Sequence, residues 1–235
     1  LFVSAASSSH RAASSAHVGR ATLVGRLYRP VGAGGGPHAG LRGQPVAGSP
    51  ASAHPSPHAS KQPVAMGIRQ QLVAAPVVGI GGSRAPGPAS RRALRRLLPL
   101  IPPGTPVVTG CASGIDAAVR QGRPGVRVVR AASARPYALV RRSVQCVQVV
   151  ARAGGVWVSF PGRSCPPGVR PASSAAACFC GGGSGSWASL ALAAGRGCPC
   201  LVFLPAGIHP PPAFGLRALG RGWFWRGGNG QQRLL

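Results

Sequence analysis

Short apolar runs that alternate with helix-like segments constrain this chain more than any other feature. Five runs have the continuous apolar character of buried strands, at residues 76–80, 106–109, 126–130, 156–160 and 199–204. Helical patterns separate them, at residues 90–100, from residue 116, at 137–151 and at 187–194. This alternation indicates parallel β-α-β units with right-handed crossovers. The sequence therefore predicts an α/β protein with a Rossmann-like parallel sheet and helices on both faces.

Glycine-rich turns follow the expected strands at three places. The first turn contains Gly81, Gly82, Ser83 and Arg84; the second, residues 109–116, contains Gly110, Gly114 and Asp116; the third contains Gly182, Gly183, Ser184, Gly185 and Ser186. Residues 175–180, before the third turn, are read as a short strand or an extended approach. Ligands of parallel sheets bind at the carboxyl ends of the strands, and an uncapped helix start attracts an anion. We expect the three turns to form one phosphate-binding crevice; a flexible linker is the alternative for the third.

The charge of the chain is extreme. It has 27 Lys and Arg and one acidic residue among 235 residues, for a formal net charge of +26. Lys61 is the only lysine and Asp116 the only acid. Such a charge attracts nucleic acid through counterion release. Because Gly, Pro, Ala and Arg are all abundant, a biased coding sequence explains the composition equally well, and both interpretations stay open.

Composition divides the chain into three regions. Residues 1–65 are rich in Ser, Ala, Gly, Pro and His without a regular period, which predicts a disordered arm, with a transit peptide as the alternative. Residues 66–205 form the expected domain, and Met66, the only methionine, is interpreted as the start of the natural product. Residues 206–235 are expected to be an irregular aromatic and basic tail. Its Trp223, Phe224 and Trp225 either stack on bases or, preferably, pack on the domain as an edge strand.

Seven cysteines without a signal peptide indicate reduced thiols and a cytoplasmic location. No apolar stretch is long enough for a membrane helix, so no membrane partner is expected. The spacings Cys178-x-Cys180 and Cys198-x-Cys200 in strands would place paired thiols on one face, as a metal site needs. Small buried core residues are the preferred interpretation. No metal or cofactor is expected, and homo-oligomerisation is left open.

The order of these motifs resembles the SLOG superfamily, which includes the DNA-processing protein A family and the LOG nucleotide phosphoribohydrolases. Gly82-Ser83-Arg84 matches the first family turn, residues 109–116 match Ser-Gly-x-Ala-x-Gly-Ile-Asp, and Ser184-Gly185-Ser186 matches the last. The middle motif is the most specific, and the resemblance covers about residues 77–205. It implies a Rossmann-like domain that binds a nucleotide or single-stranded DNA, with a role in DNA processing or recombination.

The same resemblance implies roles for two charged residues. Asp116 stands at the Gly-Ile-Asp position, where capping of the following helix is the preferred role and contact with a ribose or base is the alternative. Arg142, in the pair Arg141-Arg142, corresponds to the arginine before the ligand-facing helix in many members. A solvated helix face is the alternative for this pair.

An enzymatic role is disfavoured by one substitution in the last motif. The LOG enzymes have Pro-Gly-Gly-x-Gly-Thr-x-x-Glu, and the Glu position here is Ser189. N-glycosidic cleavage needs a carboxylate, and the chain contains no Glu. We therefore expect a binding protein with no catalytic residues. The alternatives are a nucleoside-monophosphate phosphoribohydrolase and an inactive fragment.

Overall fold

The computed structural model of this protein describes residues 64–180 and 183–228. Its helices are α1 (Val64–Val73), α2 (Pro88–Leu97), α3 (Ile115–Gly122), α4 (Pro136–Arg152), α5 (Ala175–Cys178) and α6 (Gly185–Gly195). Its strands are β1 (Val78–Gly82), β2 (Val107–Gly110), β3 (Arg127–Val129), β4 (Val156–Phe160), β5 (Cys200–Phe203), β6 (Arg217–Gly220) and β7 (Trp223–Arg226). Strands and helices alternate from β1 to β5, which confirms the α/β class.

The seven strands form one sheet in the order β3-β2-β1-β4-β5-β7-β6. The first five strands in this order are parallel, and β7 and β6 are antiparallel to their neighbours. The strand order reverses between β1 and β4. Such a reversal leaves a crevice at the carboxyl ends of the strands, where sheets of this type bind ligands.

Helices cover both faces of the sheet. Ile68 of α1, Leu94 of α2 and Ile115 of α3 belong to one buried cluster, whereas Val147 of α4 and Trp187 of α6 belong to a second. Alternate residues of β4 enter different clusters, because successive side chains of a strand point to opposite faces. Burial on both faces explains why β2, β4 and β5 read as mostly apolar runs, whereas the edge strand β3 contains the exposed Arg127.

The start of α2 differs from the predicted helix at residues 90–100. The helix begins at Pro88 with Gly87 as the N-cap residue, and Ser90 lies buried inside the helix. Proline favours the first helical position because its φ is already helical and its missing N–H would have no partner there. The α-helix ends at Leu97, and a 3-10 turn (Leu98–Leu100) follows.

Residues 175–180 do not form the expected strand, since Ala175–Cys178 is the short helix α5. Three consecutive alanines favour a helix, because alanine has the highest intrinsic helix propensity. Cys178 is buried and its Sγ donates to the Ala172 carbonyl at 3.2 Å, whereas Cys180 is exposed. The strand geometry that would pair these two thiols is therefore wrong.

The region from residue 206 is more regular than expected up to the end of its described part. A 3-10 turn (Pro212–Phe214) precedes the β6–β7 hairpin, and β7 pairs with β5. Trp223 is buried, with its ring 5.6 Å from that of Phe160 and 5.2 Å from that of Phe203. These contacts confirm that the aromatic residues pack on the domain, although β6, not β7, is the outer strand. Aromatic burial against β5 gives this segment its order.

Helix α1 was not predicted, and it begins at Val64, before Met66. The expectations of a disordered arm for residues up to 63, and everything expected of residues 229–235, lie outside the described residues. None of the described helices has the length and apolar character needed to cross a membrane.

Candidate functional site

The first and second turns contact each other at the carboxyl end of the sheet. The Ile115 N–H donates to the Ser83 carbonyl at 3.0 Å, and Ser113 Oγ donates to the Arg84 carbonyl at 3.4 Å. Gly114 has a φ of +73°, and a Cβ at this position would collide with the backbone of Ser83 and Arg84. Only glycine allows this close approach of the two turns.

A buried ion pair lies beneath the second turn. Arg142 Nη1 donates to Asp116 Oδ2 at 2.5 Å, and the two side chains are 11% and 6% exposed. The same carboxylate oxygen accepts from the Ala112 N–H at 3.3 Å. A Cβ on Gly110 would collide with both members of the pair. Burial raises the pKa of the Asp116 carboxyl above its usual value, and the adjacent Arg142 guanidinium opposes part of that rise.

Asp116 does not cap α3, contrary to the preferred prediction. Gly114 is the N-cap residue, and no side-chain cap is present among the described residues. Asp116 is the second helical residue, and its carboxylate points back to Ala112 and across to Arg142. Helix α4 places the Arg142 guanidinium against this carboxylate, so Arg142 donates to it in place of the first N–H groups of α3. The two charged residues that the resemblance brought forward therefore interact with each other.

Arg120 also holds the second turn, although the sequence analysis did not identify it. Its Nη1 donates to the Gly110 carbonyl at 2.7 Å and to the Ala112 carbonyl at 3.2 Å. The available signal was its position four residues after Asp116, which puts both side chains on one face of α3. The second turn is thus filled by side chains of the protein itself.

The third turn leads directly into α6. Gly182 lies outside the described residues, whereas Gly183 and Gly185 are exposed. Ser184 is the N-cap residue, and within the described chain its side chain makes no capping hydrogen bond; its Oγ lies 3.3 Å from Ser186 Oγ. The first N–H groups of an α-helix have no partner inside the helix. The start of α6 therefore presents amide hydrogens to whatever occupies this surface.

The loop after β4 connects the first and third turns. Arg163 in this loop donates to the Gly183 carbonyl, and its own carbonyl accepts from Trp187 Nε1 at 2.8 Å. A Cβ on the neighbouring Gly162 would lie 2.6 Å from Ser83 Oγ. Ser159, near the end of β4, donates to the Ser186 carbonyl at 3.4 Å. The three turns accordingly lie at the carboxyl ends of β1, β2 and β4.

Two exposed arginines flank this surface. Arg84 belongs to the first turn, and Arg163, which the sequence analysis missed, contacts the third. A depression of about 370 Å³ lies elsewhere, beside β6 and β7, and is lined by Gly215, Arg217, Trp225, Arg226, Gly227 and Gly228. The chemistry-bearing turns therefore do not coincide with this depression.

Three nucleophilic side chains near α6, those of Ser189, Cys146 and Cys198, are buried. Ser189, at the position of the LOG glutamate, donates to the Gly185 carbonyl at 2.7 Å inside the helix. Burial raises the pKa of the Cys146 thiol to about 12 and that of Cys198 to about 11, so both stay protonated at neutral pH. Within residues 64–180 and 183–228, no group of three or more His, Cys, Asp or Glu side chains is gathered for a metal.

The chain matches no protein-family model, no curated protein and no solved structure.

Proposed function

We propose that this domain binds a phosphate-bearing ligand, a nucleotide or a single-stranded nucleic acid, at the carboxyl end of its sheet. The observation that carries this proposal is the start of α6, an exposed glycine turn whose N-cap side chain makes no capping bond within the described residues. Unpaired amides and the helix dipole together favour an anion at such a start. The turn also adjoins β4, at the reversal of strand order.

The starts of α3 and α6, at this end of the sheet, differ in how accessible their backbone N–H groups are to a ligand. The Ser83 carbonyl accepts the first N–H of α3, so that amide is already occupied. At α6, no described atom lies within 4 Å of a Cβ built on Gly185, so a ligand has room to approach the backbone. The exposed Arg84 and Arg163 supply positive charge at this end of the sheet. These features favour the third turn as the phosphate contact.

The resemblance to the SLOG superfamily supports the same assignment, because its three motifs are the three turns at this end of the sheet. We extend the proposal to a role in DNA processing or recombination on the strength of that resemblance. All seven cysteines are free thiols, which supports a cytoplasmic location.

Binding without catalysis is favoured over phosphoribohydrolase activity. The only acidic side chain of the chain, Asp116, is buried against Arg142. Ser189, in place of the LOG glutamate, is buried and bonded to Gly185. Neither group supplies an accessible carboxylate for an oxocarbenium-like transition state. Incubation with AMP is expected to release no free adenine, and release that depends on Ser186 would overturn this preference.

The proposal is tested by comparing Gly185→Glu with Gly185→Gln in titrations with AMP, ATP and a deoxythymidine homopolymer. The two variants have nearly equal side-chain size, and a glutamate at a helix start is favourable for the helix itself. Loss of binding in Gly185→Glu therefore reports repulsion of an anion, not unfolding. We expect at least a roughly tenfold loss for Glu relative to Gln, in line with about 1.4 kcal/mol. No binding by the wild type, or equal binding by both variants, would contradict the proposal.

A further inference from the structure

We infer that the exposed face of α2 is a second binding surface, which takes the phosphate backbone of nucleic acid independently of the glycine turns. Four of the ten residues of α2 are arginines, and all four are exposed: Arg91, Arg92, Arg95 and Arg96. The opposite side of the helix, with Ala93, Leu94 and Leu97, is buried against the sheet. The fold thus orients every arginine of α2 toward solvent.

The spacing of these arginines produces two rows. Arg91 and Arg95 are four residues apart, as are Arg92 and Arg96. The two side chains of each row therefore leave the helix about 6 Å apart along its axis. Arg91 Nε donates to the Pro86 carbonyl at 3.1 Å, which fixes part of that side chain. Like charges at this spacing destabilise a helix, and a bound polyanion would remove that repulsion.

The chain itself offers these arginines no carboxylate side chain. Asp116 is its only acidic residue, and that residue is buried against Arg142. Exposed arginines in most proteins share their surface with Asp and Glu. The charge of α2 is therefore available to an external partner.

Phosphate is the anion that fits this face best. The planar guanidinium forms paired hydrogen bonds to phosphate oxygens, and a nucleic-acid duplex carries about one charge per 1.7 Å of its axis. The length of α2, about 15 Å, therefore faces several phosphates at once. A membrane surface fits less well, because a helix that lies in a membrane inserts its apolar side, and Leu94 and Leu97 are already committed to the core.

This surface and the third turn belong to different sides of the sheet. Helix α2 packs in the cluster of α1 and α3, whereas α6 packs with α4 in the other cluster. The two surfaces are therefore separable by mutation.

The test replaces Arg91, Arg92, Arg95 and Arg96 by Gln in the full chain and compares this variant with one of equal charge. The control replaces four exposed arginines on other elements by Gln: Arg127, Arg152, Arg170 and Arg217. Gln and Arg have similar helix propensities, so α2 should persist, and thermal melts followed by circular dichroism check this. Binding of a deoxythymidine homopolymer and of a random-sequence duplex is measured over a series of salt concentrations.

We expect the α2 variant to lose at least about tenfold in affinity for one or both nucleic acids, with a slope of log K against log salt smaller by up to about 3. The control variant should stay within about threefold of the wild type. The double variant Arg92→Gln/Arg96→Gln should show about half the change in slope, which covers the case in which the fourfold variant does not fold. Gly185→Glu should leave the salt slope for the duplex intact even if it abolishes nucleotide binding.

Three results would overturn the inference. Equal losses in the two fourfold variants would show that net charge alone is responsible. An unchanged affinity and slope in the α2 variants would exclude the face as a contact. Polyglutamate or phosphatidylserine vesicles that compete as well as the oligonucleotide, at equal charge concentration, would show that the face does not select nucleic-acid phosphate.

Discussion

The second and third glycine turns resemble each other in sequence but differ in what the fold has placed beside them. The second turn is occupied from within, by Asp116, Arg142 and Arg120. The third turn is exposed and leads into a helix whose N-cap side chain makes no cap in the described structure. The comparison shows that a glycine turn before a helix is available to a ligand only where no side chain of the protein already satisfies it.

The same substitution in the two turns should affect stability very differently. Gly110→Ala is expected to destabilise the protein by about 4 kcal/mol, because the new Cβ displaces the buried Arg142–Asp116 pair. Gly185→Ala should leave stability nearly unchanged, since no described atom lies within 4 Å of its Cβ. Urea unfolding of both variants measures the difference. Similar unfolding midpoints would refute the view that only the second turn is filled.

Removal of the carboxylate should have the next largest effect. Asp116→Ala leaves the Arg142 guanidinium buried without its partner and should cost about 3 kcal/mol. Asp116→Asn keeps an oxygen that accepts from Arg142 and Ala112, so its cost should be under about 1 kcal/mol. Denaturant unfolding compares the two. A larger loss for Asn than for Ala would mean that the hydrogen bonds are not what holds the turn.

The two arginines that contact the turns provide a matched pair with a smaller effect. Arg120→Gln should cost about 1–2 kcal/mol, because it removes hydrogen bonds to the Gly110 and Ala112 carbonyls in a partly buried setting. Arg163→Gln should change stability by less than about 0.5 kcal/mol, since Arg163 is exposed, yet it should weaken binding of AMP or oligonucleotide. Thermal melts and binding titrations would separate these outcomes. A stability loss for Arg163→Gln as large as that for Arg120→Gln would remove the distinction between the turns.

The pH dependence of stability should show the smallest effect, and it reports on the second turn alone. Burial raises the pKa of Asp116 in the folded state, so the folded protein holds this proton more tightly than the unfolded chain. The free energy of unfolding should therefore be highest below the ordinary value of 3.8 and fall as the pH rises through the folded-state pKa. Because no other acidic side chain exists, Asp116→Asn should remove this slope. A slope of opposite sign would show that Arg142 outweighs burial.

The sequence was sufficient for the strands of the parallel sheet, because each is a short, mostly apolar run bounded by turn residues. It was not sufficient for α5, where alanines with helix propensity were read as an extended segment, or for α1. The β6–β7 hairpin forms where the sequence predicts an irregular tail. Its order comes from aromatic packing on β5 and β4, which sequence spacing does not reveal. Short elements depend most on tertiary contacts and are therefore the hardest to predict.

The candidate site likewise contains residues that the sequence predicts and residues that it does not. The glycines and serines of the turns follow from local pattern, because these residue types favour turns between strands and helices. Arg163 could not be found by pattern, since it contacts a carbonyl group of a different loop, and the only signal for Arg120 was its position four residues after Asp116. The sequence predicts that Asp116 caps α3, whereas its carboxylate accepts from Arg142, which approaches from α4, 26 residues later.

The amino-acid sequence by itself determined the alternation of strands and helices and the positions of the three glycine turns, because apolar periodicity and backbone freedom are local properties. The tertiary structure decided which turn is filled and which remains open. That outcome depends on where distant side chains arrive once the helices have packed on the sheet, and a buried charge such as that of Asp116 accepts whichever donor the packing brings to it.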